Sequence, residues 1–192
     1  LSGHSVPRSG GDETKDRVAA LLSRAMRLLS QRDHSESELR RKLAEQPFSV
    51  RLQAAQKRRD PPENPSSEKP SLEDREINPE WIDQVIEYCY QHDWLDDTRF
   101  ALSYLRSRSR KGYGVQRIRS ELMQKGVEKE IVSTALETCE LDWCKLAKEV
   151  AERKFGDSLP TEWHEKAKVQ RYLLYRGFFQ EEIQSIYRDF DE

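Results

Sequence analysis

Between residues 106 and 125 the sequence sets seven bases (Arg106, Arg108, Arg110, Lys111, Arg117, Arg119 and Lys125) against one acid, Glu121, a local charge of +6. The whole chain holds 33 Lys+Arg and 35 Asp+Glu, a formal charge of −2, so the excess belongs to this segment. On a helix over 97–110, Arg99, Arg106 and Arg110 stand at i, i+7 and i+11 and share the face away from Phe100 and Tyr104. The turn that follows, Arg110-Lys111-Gly112-Tyr113-Gly114, adds cations and an aromatic ring on permissive backbone. Guanidinium pairs bidentately with phosphate and carboxylate alike, so the chemistry on offer is recognition of an anion. A charged run is also what a solvated helix face looks like, and the local imbalance is what argues against that reading here. Non-specific nucleic-acid binding needs only such a patch, and salt weakens it.

Other chemistries find less support. Cys89 with His92 (C-x2-H) and Cys139 with Cys144 (C-x4-C) are not the two tight pairs of a structural zinc module, and Cys89 and Cys139 occupy apolar helix positions. No G-x-S-x-G, H-E-x-x-H or P-loop is present, so neither an enzyme nor a cofactor or metal is expected. His34, His92 and His164 fall near helix ends, where capping and packing are the commoner roles. Trp81, Trp94, Trp143 and Trp163 fall one near each helix junction and are expected in small cores. Tyr172, Leu173, Tyr175, Phe178 and Phe179 read the same way, with Phe178 and Phe179 as an alternative anchor for a partner.

The elements that must position these residues are helices. Val18, Leu21, Leu22, Ala25, Met26 and Leu29 trace one face of a helix over 16–31. Ser35 and Glu38 have capping-box spacing ahead of a helix over about 36–45. Asn78-Pro79 starts another, burying Trp81 or Ile82 with Val85, Ile86 and Cys89. Asp96 and Asp97 cap a helix carrying Phe100, Ala101, Tyr104 and Leu105. Val115, Ile118 and Leu122 mark the next, stopped by Gly126. Further helices are expected near 128–138, 142–155, 165–176 (stopped by Gly177) and 180–190. That makes about nine helices and no strand-length alternation.

The helices repeat. A shift of 79 carries His34 to Tyr113, Leu39 to Ile118 and Leu43 to Leu122, and it pairs Leu21, Leu22, Ala25 and Met26 with Phe100, Ala101, Tyr104 and Leu105. A shift of 51 carries Ile118, Leu122, Gly126, Val132, Ala135 and Leu136 to Val169, Leu173, Gly177, Ile183, Ile186 and Tyr187. The first helix of the last copy is set by Tyr113-Gly114 against Phe155-Gly156, a shift of 42. Three copies of a three-helix unit result, at 16–93, 96–140 and 142–190, and Tyr113 is expected to pack at a helix junction. Six of the eight Pro lie within 47–79, and residues 60–80 carry seven acids and two bases, so 47–77 reads as a solvated or disordered insertion in the first repeat. Residues 1–15 read as an expression scar and disordered N-terminus, on the strength of LSGHSVPRSGG.

Composition agrees with small modules. Hydrophobic and charged residues are each 35% of the chain, too little apolar material for one large core. No run approaches the roughly 18 apolar residues of a membrane span. Three Cys exclude a disulfide-built fold. These features point to a cytoplasmic protein.

Several of these segments carry a resemblance. Arg32-Asp33-His34-Ser35-Glu36-x-Glu38-Leu39-Arg40-x-Lys42-Leu43, Trp94-Leu95-Asp96-Asp97-x-Arg99-Phe100-Ala101 and Ser107-Arg108-Ser109-Arg110-Lys111-Gly112-Tyr113-Gly114 strongly resemble the bacterial RecX regulatory proteins. Leu122-x-x-Lys125-Gly126 and Leu174-Tyr175-Arg176-Gly177-Phe178 continue the resemblance, which covers about 16–190 outside the insertion. The insertion is longer and more acidic than the family pattern. The resemblance implies an all-α fold of tandem three-helix repeats in an elongated, curved body. It also implies a monomer that binds the RecA filament on single-stranded DNA and suppresses its ATPase, strand-exchange and co-protease activities, modulating recombination and the SOS response.

Charge and helix face nominate Arg99, Arg106, Arg108, Arg110, Lys111, Arg117, Arg119 and Lys125 as contacts to the recombinase or to DNA phosphates, with Arg40, Arg41 and Arg176 next. One rival is a sequence-specific DNA-binding regulator using 114–125 as a recognition helix, although Gln116 and Gln124 are its only amides. Another is a helical scaffold that binds a peptide through Phe178 and Phe179.

Overall fold

The computed structural model describes residues 10–45 and 77–188. All secondary structure among them is helical, in two compact units that meet in sequence at Asp96 and Asp97. The expected insertion lies outside the described residues except for Ile77, as do residues 1–9 and the end of the last helix.

The first unit contains α1 (Gly10–Gln31), α2 (Glu36–Ala44) and α3 (Pro79–Gln91). Its core joins Leu21 and Ala25 of α1, Leu39 and Leu43 of α2, and Ile82, Val85, Ile86 and Cys89 of α3, closed by Leu95. Side chains as large as Leu39 and Leu43, fully buried, each contribute roughly 1.5–3 kcal/mol. Sequence chemistry sets the helix ends. The Ser35 hydroxyl accepts the Glu38 N–H at 3.2 Å, Asn78 accepts the Glu80 N–H at 2.9 Å, and Pro79 sits where no donor is needed. Two expectations for α1 need correction. The helix begins at Gly10, so residues 10–15 continue it, helped by a Glu13–Arg17 pair one turn apart. Met26 is 46% exposed, because the buried seam runs through Leu21 and Ala25.

The second unit holds two three-helix layers. The first comprises α4 (Asp97–Arg110), α5 (Val115–Gln124) and α6 (Lys129–Thr138) around Phe100, Ala101, Leu105, Ile118, Leu122, Val127, Val132 and Ala135. The second comprises α7 (Trp143–Phe155), α8 (Trp163–Arg176) and α9 (Gln180–Arg188) around Ala147, Val150, Ala151, Val169, Leu173, Phe178, Ile183 and Ile186. Together with the first unit these make three tandem three-helix repeats.

The shift of 51 holds atom by atom. The Val127 N–H donates to the Leu122 carbonyl at 3.2 Å, and the Phe178 N–H to the Leu173 carbonyl at 3.1 Å, two copies of one helix-ending motif. Gly126 (φ 75°) and Gly177 (φ 93°) supply the left-handed residue each copy requires. The first helix of the last repeat follows a different register from the one expected. Buried Ala101 and Leu105 correspond to buried Ala147 and Ala151, a shift of 46, whereas the Tyr113-Gly114 match to Phe155-Gly156 compared turn sequences of unequal length. Between the first two repeats the buried pairs of the leading helix are Leu21 with Ala101 and Ala25 with Leu105, one residue from the expected pairing.

Three of the four tryptophans meet expectation. Trp81 and Trp94 pack on the first core and Trp143 on the second. Trp163 does not, being 75% exposed at the start of α8. Phe178 is wholly buried, which removes it as a surface anchor. Among the described residues no helix is long and apolar enough to cross a membrane.

Candidate functional site

The basic run divides into two groups with different surroundings. One group is turned inward around Glu121, the single acid of the run. Tyr104 donates its hydroxyl to Glu121 Oε2 at 2.8 Å, Arg108 Nε donates to the same oxygen at 2.7 Å, and Arg117 Nε donates to Oε1 at 3.1 Å. Burial alone would raise the Glu121 pKa, but the bonds from Arg108, Tyr104 and Arg117 outweigh it and hold the carboxyl below its ordinary value. The Tyr104 phenol, half-buried and bonded to that carboxylate, is pushed up to about 12.

Tyr113 lies at the centre of the same cluster. The guanidinium carbons of Arg108, Arg117 and Arg176 stand 4.0, 4.7 and 4.9 Å from its ring centroid. Such contacts are worth roughly 0.5–2 kcal/mol each, more where water is excluded. Arg176 also donates to the Lys111 carbonyl at 3.2 Å and to the Tyr172 hydroxyl at 3.1 Å. Tyr113 thus takes the junction position expected from its alignment with His34.

Backbone completes this seam. The Gly114 N–H donates to the Arg176 carbonyl and the Gln116 N–H to the Gly177 carbonyl, both at 2.9 Å. The open N–H groups at the start of α5 therefore meet the open carbonyls at the end of α8, and the two helix dipoles join head to tail. This leaves little room for the rival in which α5 is a recognition helix. That geometry presents the helix N-terminus to base edges, and here α8 occupies it. The approach is close enough that a Cβ on Gly114 would lie 2.4 Å from the Gly177 oxygen.

The other group faces water. Arg99, Arg106 and Arg110 lie exposed along the outer side of α4, opposite Phe100, Ala101 and Leu105. Lys111 follows in the turn, and Arg119 is exposed on α5. Among the described residues, Arg106, Arg110, Lys111 and Arg119 have no acidic partner; Arg110 Nε is bonded to the Arg106 carbonyl at 3.1 Å. Lys125 is half-buried, its ammonium 5.4 Å from the Tyr104 ring. In the first unit Arg40 bridges Glu36 at 2.7 Å and Asp83 at 2.5 Å, tying α2 to α3, while Arg41 is exposed with no acidic partner among the described residues. What remains for an incoming anion is chiefly the outer face of α4 with its following turn. Three cations held there, Arg106, Arg110 and Lys111, have no acidic partner among the described residues and suit phosphates or a carboxylate-bearing surface.

Sequence reasoning placed Tyr175 in a core, which the structure corrects, and missed the groove beside it. Tyr175 is 74% exposed, and a groove of about 430 Å³ beside it is lined by Gln116, Arg117, Ser120, Glu121, Gln124 and Gly177. The groove forms only when α8 docks on α5, so no local spacing announces it.

Comparison with known proteins gives one answer along the chain. Residues 22–49, 96–136 and 140–186 match, in order, the families described as RecX first, second and third three-helix domain. A regulatory protein RecX of Serratia proteamaculans (strain 568) is 70% identical over 170 residues, covering 88% of this chain and 97% of that protein. One from Yersinia enterocolitica is 67% identical over 172 residues, covering 90% and 98%. Among solved structures, a regulatory protein RecX superposes with a TM-score of 0.65 at 24% identity, covering 98% of this chain and 81% of the other. RecX from Lactobacillus salivarius gives 0.66 at 20% identity, covering 92% and 98%. At those identities the superpositions speak for the fold, while the sequence matches speak for descent. Three repeats in order, each with its own match, place the chain in the RecX family of regulatory proteins.

Proposed function

We propose that this protein is a non-enzymatic regulator that binds the RecA nucleoprotein filament on single-stranded DNA and inhibits its ATPase, strand-exchange and co-protease activities. The observation that carries the reading is the exposed basic face of α4 and its following turn, where Arg106, Arg110 and Lys111 have no acidic partner among the described residues, in a chain of the RecX family. Arg106, Arg110 and Lys111, with Arg99 and Arg119, contact acidic surface on the filament or phosphates of its DNA. Arg108, Arg117 and Arg176 act indirectly by fixing the junction of the second and third repeats. Arg41 offers a further contact from the first unit, where several weak patches on one monomer add up through effective concentration. The setting is the cytoplasm, where the recombinase filament forms.

ATP hydrolysis by the cognate RecA on single-stranded DNA tests this. Titrated below stoichiometry, the protein should lower hydrolysis. The double substitution Arg106→Glu with Arg110→Glu should raise the concentration needed at least tenfold while circular dichroism stays helical. Full inhibition by that variant would take the α4 face out of the mechanism, and no effect of the wild type up to equimolar would overturn the proposal.

A further inference from the structure

The exposed face of α8 is used by neither the core nor the basic run. Val169 and Leu173 turn α8 inward, leaving Trp163, Arg171, Leu174 and Tyr175 within about a third of the helix circumference on the outer side. Trp163 and Tyr175 are about three-quarters exposed and Leu174 is 46% exposed, an unusual outlay of apolar surface on so polar a chain. Their neighbours are charged, with Glu162 just before Trp163. Arg171 has no acidic partner among the described residues, and the one acid of the helix, Glu165, is neutralised by Lys168 at 2.6 Å. The stripe ends at the groove beside Tyr175, whose walls carry the amides of Gln116 and Gln124, the Ser120 hydroxyl and the Arg117–Glu121 ion pair.

We infer that this face is a binding track for single-stranded DNA, with Trp163 and Tyr175 stacking on bases, Arg171 meeting phosphate, and the groove receiving one base at its end. Flat exposed rings with a cation between them that lacks an acidic partner are an arrangement that holds unpaired nucleotides without regard to sequence. An apolar peptide would need a continuous greasy trough, whereas the groove here is walled by amides, a hydroxyl and a guanidinium–carboxylate pair. Twelve residues of helix separate the two rings, about 18 Å, room for about five nucleotides at stacked spacing. Amides along the groove can bond either edge pattern of a base, which suits tolerance rather than readout. The track is distinct from the α4 face. It deepens the function proposed above and rests on that reading's single-stranded DNA.

The test uses the full-length protein without recombinase, so its failure leaves the ATPase result standing, and the reverse. Anisotropy of a labelled oligothymidylate at low salt should show binding, with quenching of the Trp163 emission. Trp163→Ala and Tyr175→Ala should each weaken it roughly five- to a hundredfold, Trp163→Phe far less. Arg171→Ala should lower the dependence of affinity on salt. Wild-type affinity in both alanine variants, equal affinity for a duplex, or no binding by the wild type would each overturn the track. So would variants that keep DNA binding but lose recombinase binding, which would assign the face to protein.

Discussion

At the scale of single residues, Glu121 decides how the basic run is divided. Its carboxylate gathers Tyr104, Arg108 and Arg117, so two of the seven cations are occupied by structure. Glu121→Ala removes the acceptor of three charge-assisted or neutral bonds and should destabilise the second unit by about 1.5–3 kcal/mol, read as a lowered urea midpoint. The same group sets an acid limit. With its pKa below the unfolded value of about 4.3, it contributes stability that is complete above that value and is lost as pH falls through the folded value. Stability measured from pH 6 downward should therefore fall less steeply in Glu121→Gln than in wild type; parallel curves would mean that Glu121 is not the titrating group. Tyr104 works in the other direction, its raised pKa withdrawing stability as pH climbs from about 10 to about 12. The Arg117–Glu121 pair stands one helical turn apart, yet counting charge nominated Arg117 as a free contact. The role of Arg108 was not legible in the sequence, because it reaches Glu121 only when α4 and α5 pack, and charge counting alone reads it as free.

Helix ends were the most legible feature at the scale of elements. Ser35, Asn78, Gly126 and Gly177 act on backbone within a few residues of themselves, so their meaning is local and survives without a fold. Replacing Ser35 by Ala should cost about 1 kcal/mol. The meeting of α5 and α8 was illegible because its partners lie far apart in the chain and bond through backbone, which has no side-chain signature. Trp163 was misread for a related reason. A large ring near a helix start fits a core until the neighbouring helix proves to turn its other side inward. Gly177→Ala tests the junction strongly. Beyond the left-handed φ, its Cβ would fall 2.4 Å from the Arg117 Cβ and 2.7 Å from the Arg117 nitrogen. A loss of about 2–4 kcal/mol is expected in urea unfolding, together with faster hydrogen exchange at Gly114 and Gln116. Unchanged exchange at those two amides would show that the junction opens independently of the helix end.

At the scale of the whole molecule, the modest apolar content anticipated several small cores, and each repeat indeed closes its own. Small cores leave much surface for contact. If the α4 face carries the inhibition of RecA, that inhibition should weaken as salt rises from about 50 to about 200 mM; the substoichiometric titration repeated at both concentrations reads this directly. The second and third repeats differ from a simple string of modules in one respect. Gly114 and Gln116 find their acceptors 62 and 61 residues later, at Arg176 and Gly177. On the ribosome, at about 5–20 residues per second, that delay is roughly 3–12 s. For that interval the nascent middle repeat exists with the start of α5 uncapped and Tyr113 lacking one of its three guanidinium neighbours. The C-terminal repeat thereby acts as the last step in maturing the one before it, and a ribosome that stops short of α8 releases a middle repeat that has not finished folding.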